Sequence, residues 1–248
     1  MEQITSNQNT KVKLYQKLKK KRERDKQGLM ILEGYHLIEE AFQNNLTIEY
    51  LFVLDVARVD QALIEASQAT YEINMKVAET LAGTVTPQGI FAIVQKPTFE
   101  ISTAKQVLIL DRVQDPGNVG TLIRTADAAG LDMVIVSRGT ADVFSDKVLR
   151  ASQGSVFHIP VVVEEDVVHF VQNFNGPVYG TAIENAVSYH KIDKKQTSFA
   201  LILGNEGEGM TKALLDATTQ NVTIPIYGRA ESLNVAIAAG ILMFHLKG

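Results

Sequence analysis

Three segments in the second half of the chain combine polar side chains with glycines in a way that could hold a polar or charged ligand. They are residues 111–118, 204–209 and 227–234, and each follows an apolar run. The last ends in Glu-Ser-Leu-Asn, at the start of an almost wholly apolar helix. Backbone N–H groups at a helix N-terminus need partners, and the helix dipole attracts anionic or polar groups there. The pattern predicts either a capped core helix or a ligand site.

The first segment leads into a helix that carries one conspicuous cation. Asn118 follows a Pro-Gly turn, at the position expected for a helix N-cap. Arg124 comes about a turn and a half later, among small and apolar residues. A lone arginine there is either paired for structure, with Asp127 or Asp111, or directed at an anionic ligand. The guanidinium fork suits phosphate.

The second segment, Gly204-Asn-Glu-Gly-Glu-Gly209, has three glycines around two carboxylates. Its spacing is neither that of a dinucleotide-binding fingerprint nor that of a P-loop. Carboxylates also repel phosphate, so the segment suits a neutral or cationic ligand, unless it is only a surface turn. The five histidines are scattered without metal-ligand spacing, and we expect no metal site.

Apolar runs that alternate with helical patterns predict the elements that must hold these segments. The predicted strands of the second half are residues 107–111, 133–136, 159–163, 178–181, 199–203 and 222–226. The predicted helices are residues 119–129, 146–151, 166–173, 211–217 and 233–246. Continuous apolar strands between helices indicate a parallel sheet covered on both faces, with ligands beyond its carboxyl ends. We expect an α/β protein with domains at 1–96 and 106–248 and a linker at 97–105.

Composition and charge narrow the class of protein. The 248 residues include no cysteine, which excludes disulfides and thiolate chemistry and fits a reducing cytoplasm. No apolar run has membrane-spanning length, and the N-terminus has no signal-peptide pattern. Residues 11–26 hold nine Lys or Arg against two acidic residues, although the whole chain has a net charge of −4. Such a segment predicts a polyanion partner, most simply nucleic acid, or else a solvated helix face.

Together the three segments resemble the signature motifs of the SpoU (TrmH) class of RNA ribose 2′-O-methyltransferases, in the SPOUT superfamily. The matching stretches are Asp115-Pro-Gly-Asn-Val-Gly120 with Arg124-Thr-Ala-Asp127, Gly204 to Gly209, Ile224-Pro-Ile226 and Glu231-Ser-Leu-Asn-Val235. Their order and spacing agree as well. Near the N-terminus, Ile4-Thr-Ser-Asn-Gln-Asn9 and Ile31-Leu-Glu-Gly34 look like the L30e-like substrate-binding domain of many members.

The resemblance implies a fold, a reaction and partners. The fold would be a small L30e-like α/β domain followed by a SPOUT domain, whose parallel sheet carries a C-terminal trefoil knot. The reaction would be methyl transfer from S-adenosylmethionine to a ribose 2′-hydroxyl in structured RNA, with ribosomal RNA favoured and transfer RNA as the alternative. The protein would act as a cytoplasmic homodimer without a metal, and the apolar helix after Asn234 is compatible with burial in the dimer interface.

The resemblance also implies roles for individual residues. Arg124 would be the central catalytic residue. The residues that would complete the catalytic site are Asn118, Glu206, Ser232 and Asn234. The residues that would bind the cofactor are Thr181, Gly204, Ile224, Ile226 and Leu233. Lysines and an arginine of the basic segment, Lys19, Lys20, Lys21 and Arg22, would contact RNA phosphates. Two positions depart from the family pattern: Ala236 stands where many members have Ser, and Ile226 where Met is common.

The role of Arg124 needs a physical account, because family descriptions make it a base while arginine is effectively never deprotonated in proteins. Our hypothesis is that Arg124 clamps the adjacent phosphate and lowers the pKa of the substrate hydroxyl electrostatically. Glu206 would either pair with Arg124 or orient its loop. Two other functions stay open: a non-catalytic dimeric RNA-binding protein, and a SPOUT enzyme that methylates a base, although the Ser-Leu-Asn motif favours the ribose.

Overall fold

The computed structural model describes residues 1–83, 86–99 and 104–248, and these form two compact units. The first comprises Met1–Thr98 with Phe144–Phe157, and the second comprises Phe99–Val143 with His158–Gly248. The predicted division into domains at 1–96 and 106–248 stays a prediction, and part of its linker, residues 100–103, lies outside the described residues. The segment Phe144–Phe157 groups with the first unit, whereas the sequence pattern assigned it to the second domain.

The first unit is built on a mixed five-stranded sheet. Its strands are β1 (Glu2–Ile4), β2 (Leu29–Glu33), β3 (Ile48–Val53), β4 (Thr70–Ile73) and β5 (Ile90–Gln95). Its first five helices are α1 (Thr10–Leu18), α2 (Lys21–Gln27), α3 (Tyr35–Gln43), α4 (Gln61–Ala66) and α5 (Met75–Leu81), with a 3-10 turn at Val56–Arg58. The strand order is β1-β4-β3-β5-β2, and only β5 runs antiparallel to its neighbours.

Helix α1 holds the basic segment against the core of this unit. Three of its side chains at helical spacing, Val12, Tyr15 and Leu18, are buried. The Tyr15 ring packs edge-on against Phe52 and Phe91, with ring centroids 6.2 and 6.0 Å apart. Such aromatic pairs stabilise a core beyond the area they bury. The basic segment is therefore an amphipathic helix followed by a second helix, with most of its cations exposed and Arg24 buried.

The second unit has a seven-stranded sheet in which every described pair of neighbours is parallel. Its strands are β6 (Gln106–Leu110), β7 (Met133–Ser137), β8 (Val161–Glu164), β9 (Val178–Thr181), β10 (Val187–Ser188), β11 (Phe199–Leu203) and β12 (Gln220–Thr223). Its helices are α6 (Pro116–Ala128), α8 (Val167–Asn173), α9 (Lys212–Ala217) and α10 (Val235–Lys247), with a 3-10 turn at Tyr189–Lys191. Helix α7 (Asp146–Ser152) and the 3-10 turn at Ser155–Phe157 belong to the first unit.

The strand order is β10-β12-β9-β11-β6-β7-β8. Because the strands are parallel, the three polar segments lie at one edge of the sheet, the one formed by the carboxyl ends of its strands. Strands β6 and β11 are neighbours, and Leu110 lies opposite Leu203, so the segments after them begin side by side. Strand β12 is separated from β11 only by β9. The predicted α/β class with a parallel sheet is confirmed. The threading of the C-terminal segment into a knot stays a prediction.

Helix α10 packs on α6 with one face and leaves another face open. The residues buried along it are Ala236, Ala239, Leu242, Met243 and Leu246. By contrast, Ile237, Ile241 and Phe244 expose 57%, 36% and 54% of their surface. A helix so rich in apolar residues is expected to be buried on most sides, and in the single chain α10 is not. Among the described residues, no helix combines the length and apolarity needed to cross a membrane.

Candidate active site

The N-terminus of α6 is capped one turn earlier than the sequence suggested. The N-cap is Asp115, whose Oδ1 accepts a hydrogen bond of 2.9 Å from the backbone N–H of Asn118. Pro116 occupies the first helical position, where its fixed φ and missing N–H cost nothing. The predicted N-cap role of Asn118 is therefore wrong. Because Asn118 lies inside the first turn, its side chain is available for other contacts.

Glu206 joins the segment after β11 to the segment after β6. Its Oε1 accepts hydrogen bonds from Asn118 Nδ2 at 3.0 Å and from the Asp115 backbone N–H at 3.1 Å. Its Oε2 accepts from the Gln114 backbone N–H at 3.1 Å. Of the two alternatives for Glu206, pairing with Arg124 or orienting the loop, the geometry supports the second.

These hydrogen bonds also shift the acidity of Glu206. Partial burial raises the pKa of the carboxyl, but the hydrogen bonds from Asn118 and from backbone N–H groups, taken together, lower it below its usual value. A carboxylate that accepts several hydrogen bonds is stabilised in its charged form. Glu206 is therefore an anionic anchor for the N-terminal turn of α6.

Asn234 connects the third segment to the same network. It is the N-cap of α10, and its Oδ1 accepts from the Ala236 backbone N–H at 2.9 Å. Its Nδ2 donates to Asn118 Oδ1 at 3.0 Å. One amide thus caps α10 and joins it to α6. Ser232 is exposed and makes no hydrogen bond with the described residues.

A second set of contacts, which sequence reasoning missed, locks the first two segments together. Arg112 donates to Glu208 Oε2 at 2.6 Å and to the Gly209 carbonyl at 3.3 Å, while the Arg112 carbonyl accepts from Asn205 Nδ2 at 3.0 Å. The hydrogen bond that Arg112 donates to Glu208 raises the pKa of Arg112, and the neighbouring Asp111 adds to the effect. Arg112 has a φ of 59°, an uncommon backbone conformation for a side-chain-bearing residue.

The Arg124 side chain is exposed on α6 and has no ion pair or hydrogen bond with the described residues. Its two expected structural partners are engaged elsewhere. Asp127 Oδ2 contacts His158 Nδ1 at 2.9 Å, and Asp111 Oδ2 accepts from the Thr211 backbone N–H at 2.7 Å. An unpaired, exposed guanidinium favours the second alternative for Arg124, an anionic ligand.

Two of the predicted cofactor residues lie at tightly packed points of the sheet edge. Gly204 is buried, and a Cβ there would overlap the backbone of Gly209 and Met210. Thr181 ends β9, and its hydroxyl donates to the Ile202 carbonyl at 3.1 Å. Gly204 is therefore required by backbone packing, and Thr181 supports the neighbouring strand, whatever ligand the site binds.

The other three predicted cofactor residues surround the turn before α10. Strand β12 ends at Thr223, so Ile224 and Ile226 lie beyond it in the connecting loop, contrary to the predicted strand end at residue 226. Ile226 and Leu233 expose 38% and 37% of their surface. Two exposed apolar side chains beside free backbone groups give a surface that can accept a flat, partly apolar ligand.

The remaining expectations concern the basic segment and metals. Lys19, Lys20, Lys21 and Arg22 lie in the first unit, and all four are exposed. Within the ranges that the structure describes, no group of three or more His, Asp and Glu side chains could hold a metal ion.

Of the contacts that sequence reasoning missed, only the Asp115 cap could have been found in the sequence, where an Asp directly before a Pro indicates the start of a helix.

Comparisons with known proteins agree with this arrangement. Family models match residues 105–244, as "SpoU rRNA Methylase family", and residues 9–92, as "MRM3-like substrate binding domain". The chain is 46% identical, over 100% of both sequences, to the 23S rRNA (guanosine(2553)-2′-O)-methyltransferase RlmP of Bacillus subtilis (strain 168).

Solved structures give the same result. An AdoMet-bound rRNA methyltransferase from Sinorhizobium meliloti superimposes with a TM-score of 0.90 and 34% identity, over 99% of this chain and 97% of that one. The SpoU methyltransferase AviRb from Streptomyces viridochromogenes, in complex with AdoMet, gives a TM-score of 0.83 and 25% identity, over 96% and 97%. The motifs, the fold and these matches agree, and the chain belongs to the SpoU rRNA methylase family.

Proposed function

We propose that this protein transfers a methyl group from S-adenosylmethionine to a ribose 2′-hydroxyl of ribosomal RNA in the cytoplasm. The observation that carries the proposal is the network Glu206–Asn118–Asn234, which joins all three family motifs at one edge of the parallel sheet. The relative with 46% identity is named as an enzyme of 23S rRNA, which supports ribosomal over transfer RNA.

The residues at this edge fit the cofactor. Backbone groups between Ile226 and Leu233 have no hydrogen-bond partner among the described residues, so they are available to an adenosine or amino-acid moiety. The exposed surfaces of Ile226 and Leu233 would contact the apolar faces of the ligand. When bound, S-adenosylmethionine supplies a methyl group that is already activated by the sulfonium. The acidic segment Gly204 to Gly209 suits that positive charge better than it would suit a phosphate.

Arg124 would act on the RNA. It lies six residues beyond Asn118 on α6, about 9 Å along the helix axis. From there the guanidinium would clamp the phosphate next to the target ribose and align the hydroxyl with the methyl group. The positive charge would also favour loss of the hydroxyl proton, which would pass to the phosphate, to water or to a nearby side chain.

The test uses the purified protein, S-adenosylmethionine and a transcript of 23S rRNA. We expect a rise in the thermal midpoint with the cofactor, because a ligand that binds only the folded state stabilises it. We also expect methylation at one ribose, which is lost when that nucleotide carries a 2′-deoxyribose. Methyl transfer to transfer RNA instead would support the alternative substrate. RNA binding without a cofactor-induced shift would support the non-catalytic alternative and overturn the proposal.

We further propose that the enzyme is a homodimer that buries the open face of α10. Ile237, Ile241 and Phe244, spaced four and three residues apart, form an apolar stripe that water would otherwise cover. The double variant Ile237→Glu/Phe244→Glu should convert a species of twice the chain mass of 27.3 kDa into a monomer in light scattering. The matched control is Val163→Glu, another exposed apolar residue. An unchanged mass in the double variant would exclude this face as the interface.

A further inference from the structure

The nine cations of the basic segment, residues 11–26, do not all face solvent freely. Lys11 Nζ lies 2.5 Å from the Tyr50 hydroxyl and 4.0 Å from the centre of its ring. Lys19 Nζ donates to the carbonyl oxygen of Thr80 at 3.5 Å, and burial lowers its pKa. Arg24 is only 4% exposed and donates to two carbonyls at the end of α1. Three of the cations are therefore engaged by groups of the first unit itself.

Three other cations line a groove between α1 and α2. Its volume is about 390 Å³, and its lining residues are Thr10, Lys13, Leu14, Lys17, Glu23, Lys26 and Gln27. The four residues from α1 follow helical spacing, and so do the three from α2, so each helix presents one face to the groove. The volume lies near the lower end of the range of ligand pockets, about 300–1,000 Å³.

The groove concentrates unneutralised positive charge. The ammonium groups of Lys13, Lys17 and Lys26 have no ion pair or hydrogen bond with the described residues, and Glu23 offsets one of the three charges. Like charges that line one concavity repel each other, and a polyanion that replaces the surrounding counterions relieves this repulsion. Leu14 forms a partly buried apolar floor. The groove is therefore shaped and charged for an extended anion with an apolar part.

We propose that this groove holds the sugar-phosphate backbone of the RNA substrate, an inference that rests on the proposed function. Lys13 and Lys17 are four residues apart on α1, which puts their Cβ atoms about 5–6 Å from each other. This spacing lets the two ammonium groups contact successive phosphates of one strand. Lysines are mobile point charges that bind phosphate without fixing its orientation, which suits a backbone contact that positions RNA rather than reads its bases.

The inference shifts the RNA contact from the residues that the sequence suggested. Lys19 is held by carbonyl oxygens of the first unit, whereas Lys20, Lys21 and Arg22 lie at the junction of the two helices and line no part of the groove. Two triple variants with the same change in charge separate the alternatives. One is Lys13→Gln/Lys17→Gln/Lys26→Gln, and the other is Lys20→Gln/Lys21→Gln/Arg22→Gln.

Binding of the full-length protein to a 23S rRNA transcript is measured over a series of salt concentrations. The slope of log K against log salt is negative, and each lost phosphate contact reduces its magnitude by about 0.7–0.9. The groove variant should therefore have a slope that is shallower by about 2–3 units. Its affinity should fall at least about tenfold at low salt. The matched control Lys76→Gln/Lys191→Gln/Lys212→Gln removes three exposed lysines elsewhere and should retain the wild-type slope.

A further variant tests the shape of the groove rather than its charge. Gln27→Trp fills the groove with no change in charge, so we expect weaker binding at every salt concentration with nearly the wild-type slope. The cofactor-induced thermal shift should be retained in all these variants, because the groove and the three motifs belong to different units. That shift shows that the second unit of each variant is folded, and a circular dichroism spectrum that matches the wild type shows the same of the first unit.

The results that would overturn the groove inference differ from those that would overturn the proposed function. The groove inference is overturned if the variant Lys13→Gln/Lys17→Gln/Lys26→Gln has the same slope as the control Lys76→Gln/Lys191→Gln/Lys212→Gln. It is also overturned if only Lys20→Gln/Lys21→Gln/Arg22→Gln loses slope. A wild-type protein that does not bind the transcript overturns it too. If the wild type binds the transcript but transfers no methyl group, the proposed function fails, and the slopes alone decide on the groove.

Discussion

Replacing Arg124 by Lys should lower methyl transfer to RNA by about 10²–10³-fold, the usual cost of losing one positioned electrostatic group. Arg124 is exposed on α6 and has no partner among the described residues, so the change breaks no internal contact. Lysine keeps the charge but loses the planar fork that can hold two phosphate oxygens at once. The loss should appear in the turnover number under saturating RNA, with the affinity for S-adenosylmethionine unchanged in titration calorimetry.

A matched substitution controls for the change of side chain itself. Arg58 is also exposed and makes only a loose surface ion pair of 4.0 Å with Asp55, in the first unit. Arg58→Lys should therefore turn over like the wild type. If Arg124→Lys also retained near-normal turnover, charge alone would suffice and the phosphate clamp would be wrong. If both charge-conserving variants were inactive, the loss would not be specific to the site.

Replacing Glu206 by Gln should lower kcat/KM by roughly tenfold, which corresponds to about 1.4 kcal/mol of transition-state stabilisation. The carboxylate accepts three hydrogen bonds, from Asn118 and from the backbone N–H groups of Gln114 and Asp115. An amide has one oxygen, so its NH₂ group would face at least one of these donors. The N-terminal turn of α6 would shift, and Asn118 would lose its link to Asn234.

Glu208→Gln is the matched control for this change. Glu208 lies two residues further in the same segment, is highly exposed, and accepts from Arg112. A glutamine oxygen can still accept that hydrogen bond, and exposed ion pairs contribute little. Glu208→Gln should therefore leave kcat/KM nearly unchanged. Equal losses in both variants would mean that general loop mobility, and not the Glu206 network, limits activity.

The same carboxylate predicts a dependence of stability on pH. The pKa of Glu206 is lowered from its ordinary value of 4.5, so the folded state binds its proton more weakly than the unfolded state. The resulting stabilisation is fully present above pH 4.5 and is lost as the pH falls through the folded-state pKa below it. Thermal midpoints of the wild type and Glu206→Gln should therefore converge as the pH is lowered from about 6 to 3. A constant difference across this range would contradict the role of the charge.

Some elements could be predicted because local pattern and tertiary structure agree. Strands at Val178–Thr181 and Phe199–Leu203 have the predicted bounds. Both strands are short apolar runs, flanked by a Gly-Pro pair in one case and closed by Gly204 in the other, so burial and turn signals coincide. The short edge strand β1 and its neighbour β4 have weak apolar patterns, and only their pairing in the sheet defines them.

The sequence by itself determined the three motifs, the strands that they follow, and hence the sheet edge where they had to meet. Only the tertiary structure decided which side chains are free to act. Asn118 is released from capping because Asp115 caps α6, and Arg124 is left unpaired because His158 and Thr211 occupy its expected partners. The physical reason is the range of the interactions: apolar periodicity acts within one element, whereas polar partners follow no period and lie at very different separations, 3 residues for the Asp115 cap, 31 for Asp127 with His158 and 100 for Asp111 with Thr211.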